Sequence, residues 1–154
     1  VERIKTIGDA YMAVAGAPLA CGDHAERIAN FAVAMMEEAV AFTREWEESI
    51  VLRVGINSGE AIGAVVGEKK FAYDLWGDAV TTAARMESHG EPGKIHCSEA
   101  FARELGITIE ELEVEEGASS ITSRSQFIIS YRGEMDVKGK GKMRTYFLEN
   151  TSIR

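Results

Sequence analysis

The sequence predicts an α+β domain, an antiparallel-rich sheet flanked by helices. Three observations carry this. Short β-type runs come in pairs joined by turn residues, as at Gly8-Asp9 and at residues 67–70. A long apolar stripe at spacings of three and four follows the first pair. Further helical patterns then interleave with hairpins, instead of one helix following every strand as a parallel sheet requires.

Each element can be justified in turn. Residues 2–7 and 10–15 read as strands around the Gly8-Asp9 turn, and Gly16-Ala17-Pro18 ends the hairpin. Asp23 is the expected N-cap of a long helix, with Glu26 three residues later to complete a capping box. From there Ile28, Phe31, Ala32, Met35, Ala39, Phe42 and Trp46 form one apolar stripe, so Phe31, Met35 and Phe42 are expected in the core. Residues 50–57 alternate Leu52, Val54 and Ile56 against Val51, Arg53 and Gly55, which predicts a strand, and Ser58-Gly59 turns the chain. Residues 61–66 are nearly all apolar, as in a strand covered on both faces. After a charged turn, residues 71–75 form a short strand and 78–88 a helix, which His89-Gly90-Glu91-Pro92-Gly93 stops. A strand over 94–97 leads to Ser98, which caps a helix to about residue 105. Glu99 lies in that helix's first turn, where negative charge suits the helix dipole. Residues 110–125 are acidic and then rich in Ser and Thr, an exposed excursion. Residues 126–131 predict a strand with a turn at Arg132-Gly133, residues 137–142 a basic glycine loop, and residues 143–148 the last strand.

The 154 residues suit one domain, spanning 1–150, and 45% hydrophobic against 27% charged residues permits a packed core. A net charge of −8 excludes nonspecific nucleic-acid binding, which needs a basic surface. Cys21 and Cys97 lack CxxC or Cys/His spacing, as expected of reduced thiols in the cytoplasm. His24, His89 and His96 have no metal-ligand spacing and are read as structural. No apolar run reaches the ~18 residues that span a bilayer. The chain opens on Val1 without a methionine and reads as a fragment, whose parent has room for regulatory or membrane domains.

Residues 70–88 are the most distinctive stretch: Lys-Phe-Ala-Tyr-Asp-Leu-Trp-Gly-Asp-Ala-Val-Thr-Thr-Ala-Ala-Arg-Met-Glu-Ser. An aromatic strand runs through a Gly-Asp turn into a helix that sets Arg85 among alanines, with Thr81 one turn earlier on the same face. A second block, residues 3–12, reads Arg-Ile-Lys-Thr-Ile-Gly-Asp-Ala-Tyr-Met. Taken alone, Asp9 is a turn aspartate, Lys5 a strand lysine, Asp74 a capping acid, and Lys138 one cation of a basic glycine loop. Phe71, Tyr73 and Trp76 read as core or dimer-face aromatics.

Together, in this order, the two blocks resemble the catalytic signature of the class III nucleotide cyclases, and the resemblance covers nearly the whole chain. It implies a ferredoxin-like catalytic domain that pairs head to tail, with active sites between two domains. There the ribose 3′-oxygen attacks the α-phosphate and pyrophosphate leaves, with two Mg²⁺ or Mn²⁺ ions per site. By resemblance, Asp9 is one of two metal-binding aspartates. The other lies on an upstream strand of the family, so the chain is expected to lack that first strand and its helices. Lys5 and Asp74 match the family's adenine-reading pair, a donor and an acceptor; guanylate cyclases resemble this with glutamate and cysteine or serine there. Arg85 matches the arginine that steadies the transition state, and Lys138 the lysine that meets the terminal phosphates. Thr81 departs from the pattern, because the family places asparagine there to orient the ribose; threonine lacks the amide's paired donor and acceptor. The resemblance thus implies an adenylate cyclase acting on ATP, with a guanylate cyclase or a degenerate regulatory and dimerisation domain as alternatives. One chain carrying both halves of the site implies a symmetric homodimer, inactive as a monomer.

Overall fold

The computed structural model describes residues 1–107, 122–124 and 126–151. Its element order is β1 (Glu2–Ile7), β2 (Ala10–Val14), α1 (His24–Trp46), β3 (Val54–Ile56), β4 (Ile62–Val66), β5 (Ala72–Trp76), α2 (Asp78–Ser88), β6 (Ile95–Ser98), α3 (Glu99–Glu104), β7 (Thr122–Arg124), β8 (Phe127–Val137) and β9 (Gly141–Asn150). The expected α+β class holds. A five-stranded sheet runs β3-β6-β9-β8-β7, while β1-β2 and β4-β5 are separate two-stranded hairpins. Only β3 and β6 pair in parallel; the other described pairings are antiparallel.

Strand alternation divides the five-stranded sheet into two faces. Ile95 and Cys97 of β6, Tyr146 and Leu148 of β9, and Phe127 and Ile129 of β8 form one core with α1 and α3. Their sequence neighbours His96 and Phe147 turn the other way, where His96 bonds a carbonyl of α2. α2 sits on that second face with its backbone against β3. A Cβ on Gly55 would lie 2.0 Å from the Glu87 nitrogen, so only glycine allows this approach.

Several expectations need correction. Asp23 does cap α1, but without a side-chain cap bond; its Oδ1 accepts from Arg27 Nε at 2.7 Å instead, so no capping box forms. The buried face of α1 is Ala25, Ala29, Ala32 and Val33, one step round from the expected stripe. Phe42 and Trp46 are exposed and stack on each other at 5.9 Å, and the buried residues of α1 all fall in its first half, from Ala25 to Val33. The strand expected over 50–57 is formed only at Val54–Ile56. β4 is not covered on both faces: all five of its residues are exposed, since it pairs only with β5. Arg132-Gly133 is not a turn. β8 runs through it with a bulge, and Gly133, at φ 137, absorbs the shift. Thr122–Arg124, placed in the expected excursion, is a strand on β8; the rest of that excursion lies outside the described residues.

Candidate active site

Two hairpins and one helix bring the sequence-predicted residues into relation. In β1 the register against β2 slips between Arg3 and Lys5. Such a bulge re-aims the following side chain. Lys5 Nζ meets Asp74 Oδ2 of β5 at 2.8 Å. Asp74 Oδ1 also accepts from the Leu75 backbone N–H at 2.7 Å, which fixes the carboxylate plane. The Lys5 hydrogen bond is the main force holding the Asp74 carboxyl below its ordinary range, with the Leu75 N–H helping. The Lys5 side chain is 40% exposed and that of Asp74 18%, so the pair stays reachable from solvent.

From Asp74 the chain leads directly into α2. Gly77, at φ 128, makes the sharp change of direction that a side chain would resist. Its carbonyl accepts from the N–H groups of Val80 and Thr81. The Thr81 hydroxyl is exposed and turns back to the same carbonyl at 3.4 Å. Thr82, the neighbouring hydroxyl, is buried, so it does not stand in for Thr81. Arg85 is half-buried one turn beyond Thr81.

A polar relay seats the start of α2. Asn57 Nδ2 donates to the Ala79 carbonyl at 3.1 Å. Ser98 Oγ donates to Asn57 Oδ1 at 2.6 Å while accepting from Phe101 N–H, the predicted cap of α3. Sequence reading missed Asn57; its only signal was a polar residue ending an apolar strand.

Lys138 lies on the turn between β8 and β9, and is exposed. On the same turn, the exposed Lys140 ammonium pairs with Asp78 in the first turn of α2. That contact docks the Lys138 turn against the helix carrying Thr81 and Arg85. Asp9 is exposed in the turn of the β1–β2 hairpin, just beyond the Ile7–Ala10 pair and two strand residues past Lys5. Neither Arg85, Lys138 nor Asp9 makes an ion pair with the described residues.

Among the described residues, no three His, Cys, Asp or Glu side chains gather as a metal cage. Asp9 offers a single carboxylate with hard oxygen donors. Mg²⁺ is commonly held by one or two carboxylates completed by water and substrate phosphates, so Asp9 fits one ligand of a cation that arrives with a polyphosphate. It does not fit a resident ion held by this chain alone.

The family described as adenylate and guanylate cyclase catalytic domain matches residues 1–150. This chain belongs to the class III nucleotide cyclases. It is 46% identical to the human guanylate cyclase soluble subunit beta-2 over 149 residues, covering 96% of this chain and 21% of that subunit. It is 36% identical to an adenylate cyclase of Mycobacterium tuberculosis, over 96% of this chain and 29% of that protein. The chain therefore spans under a third of the length of these curated relatives. The crystal structure of the guanylate cyclase domain of RhGC from Catenaria anguillulae, in complex with GTP, superposes with a TM-score of 0.78 at 36% identity. That match covers 96% of this chain and 71% of that one. Class III cyclases use divalent metals and act as nucleotide-binding dimers. The cyclase fold expected from residues 3–12 and 70–88 is the fold found.

Proposed function

We propose that this cyclase domain is an adenylate cyclase, converting ATP to 3′,5′-cyclic AMP and pyrophosphate in two equivalent sites of a head-to-tail homodimer. One observation carries the choice of nucleotide: Lys5 and Asp74 stand side by side as donor and acceptor, 2.8 Å apart and open to solvent. Adenine presents a ring nitrogen that accepts and an exocyclic amine that donates. Lys5 serves the first and Asp74 the second. Guanine reverses both, leaving each side chain unpaired at about 1–3 kcal/mol per group.

The remaining residues take roles by their chemistry. The Arg85 guanidinium faces charge that develops on the α-phosphate as the 3′-oxygen bond forms and the bond to pyrophosphate breaks. Lys138 supplies a point charge to the terminal phosphates from a glycine turn that permits close approach. Thr81 contributes one hydroxyl toward the ribose. Asp9 gives one oxygen to the divalent cations, two per site, which when bound lower the cost of ionising the 3′-hydroxyl.

The homodimer is supported by exposed apolar surface on the hairpin that carries Asp74. Ile62 is 71% exposed, Val65 64% and Phe71 71%. Removing each such side chain from water contributes roughly 1.5–3 kcal/mol, a gain a second copy can supply. ATP as substrate supports a cytoplasmic location for the domain.

The guanylate reading is favoured by the 46% identical relative and stays as the second hypothesis. Incubation of the full-length catalytic domain with ATP or GTP and Mn²⁺, followed by assay of cyclic product, separates the readings. Cyclic AMP is expected; cyclic GMP alone, formed from GTP, overturns the assignment of Lys5 and Asp74. No product from either nucleotide points to a regulatory domain.

A further inference from the structure

The last turn of α2 is gripped from the sheet by two side chains whose bonding depends on one proton. His96 of β6 is fully buried, with Nδ1 2.7 Å from the Met86 carbonyl. A carbonyl only accepts, so Nδ1 carries the hydrogen. Its Nε2 lies 3.1 Å from Arg132 Nη1 of β8. A guanidinium only donates, so Nε2 must offer its lone pair. Only neutral imidazole, protonated at Nδ1, satisfies both neighbours. Arg132 Nη1 also donates to the His89 carbonyl at 2.5 Å, where α2 ends. Phe147 of β9 backs the arrangement, 5.7 Å from the His96 ring and 5.3 Å from the Arg132 guanidinium. The other charged or titratable groups around His96 are His89, Glu91 and Lys94; Glu91 pairs with Lys94 at 2.7 Å and lies 3.9 Å from Arg132.

We propose that His96 and Arg132 are positioning residues for Arg85: neutral His96 and the Arg132 it orients hold the carbonyls of Met86 and His89, and so fix the helical turn that carries Arg85. Adding a proton to Nε2 removes the acceptor and sets two cations side by side. Arg132 then loses the bond that orients it toward His89. Burial, reinforced by Arg132, keeps the His96 pKa below its ordinary 6.5 although the Met86 carbonyl pulls it back up, so the grip holds at neutral pH and loosens in acid. The functional half of this proposal rests on the reading of Arg85 as the transition-state arginine; the grip itself does not.

The test has two arms. In the first, the wild-type domain is titrated by NMR with ¹⁵N-labelled histidine and backbone amides. His96 is expected as the Nδ1–H tautomer, with a protonation midpoint below about 6.5, and the amides of residues 86–90 should shift with that same midpoint. An Nε2–H tautomer, or amides indifferent to His96, overturns the grip. In the second arm, kcat and KM are followed from about pH 8 to pH 5. Wild-type kcat should fall about tenfold per pH unit below the His96 midpoint, with KM little changed. His96→Gln offers Arg132 an amide oxygen that does not titrate, and should show a lower kcat that stays flat over that range. An equally steep fall in His96→Gln, or a loss confined to KM, overturns the link to Arg85. Absence of turnover with every nucleotide, beside the expected NMR response, overturns the cyclase reading and supports the grip on α2.

Discussion

Lys140, on the turn between β8 and β9, pairs with Asp78 in the first turn of α2. The contact ties the turn bearing Lys138 to the helix bearing Thr81 and Arg85. Exposed ion pairs contribute about 0–1 kcal/mol to stability. Asp78→Asn should therefore leave the melting temperature nearly unchanged. If the pair holds Lys138 in place for the phosphates, the same substitution should raise KM for nucleotide about fivefold, the equivalent of about 1 kcal/mol. Steady-state kinetics beside a thermal melt check this; an unchanged KM removes the docking role.

The Lys5–Asp74 pair leads to a specificity prediction. Lys5→Glu combined with Asp74→Cys removes the adenine donor and acceptor and supplies the reversed pattern. The ratio of kcat/KM for ATP over GTP should fall at least tenfold, since each mispaired group costs about 1–3 kcal/mol. Competition assays measure the ratio directly. An unaltered ratio in a folded double variant rules these two positions out as base readers.

Much of this arrangement was legible in the sequence, and the failures have physical causes. The bounds of α2 were read correctly because Gly77 and the His89-Gly90-Glu91-Pro92-Gly93 run punctuate the chain on both sides. The Ser98 cap was legible for the same local reason. The exposure of β4 was not, because an apolar run reports only that a strand seeks cover and not whether the cover is the same chain. Phe42 and Trp46 misled in a similar way, since periodicity gives a helix face but not how far along the helix that face is covered. Gly133 was read as a turn because a positive-φ glycine serves a bulge equally well. At the candidate site, each charged residue was visible singly. The bulge that turns Lys5, the Asn57 relay and the Asp78–Lys140 pair join positions far apart in sequence, which no local pattern encodes.

The Asn57 relay predicts a stability effect. Asn57→Ala would remove the amide that holds the Ala79 carbonyl, which keeps its helical partner, and would strip buried Ser98 Oγ of its acceptor. Leaving that buried hydroxyl unpaired costs about 1–3 kcal/mol. A loss of about 1–3 kcal/mol in urea unfolding is expected, with kcat reduced because the start of α2 is no longer seated. A loss within about 0.5 kcal/mol, the range of neutral surface changes, contradicts the relay.

The exposed apolar hairpin predicts where association occurs. Val65→Glu with Phe71→Glu changes two exposed side chains, so the monomer should keep its circular dichroism and melting behaviour. Sedimentation should show dimer converting to monomer, with cyclic product lost in parallel. A dimer that persists undiminished places the interface elsewhere.

The most direct test of a site shared between two copies is complementation. Asp9→Ala and Arg85→Ala should each be folded and inactive. In a mixed dimer, one site collects both substitutions and the other collects neither. Random re-pairing of equal amounts should then restore about a quarter of wild-type turnover, since half the dimers are mixed and each has one intact site. Activity that stays at zero in demonstrably mixed dimers would contradict the shared site, as would either variant alone retaining full turnover.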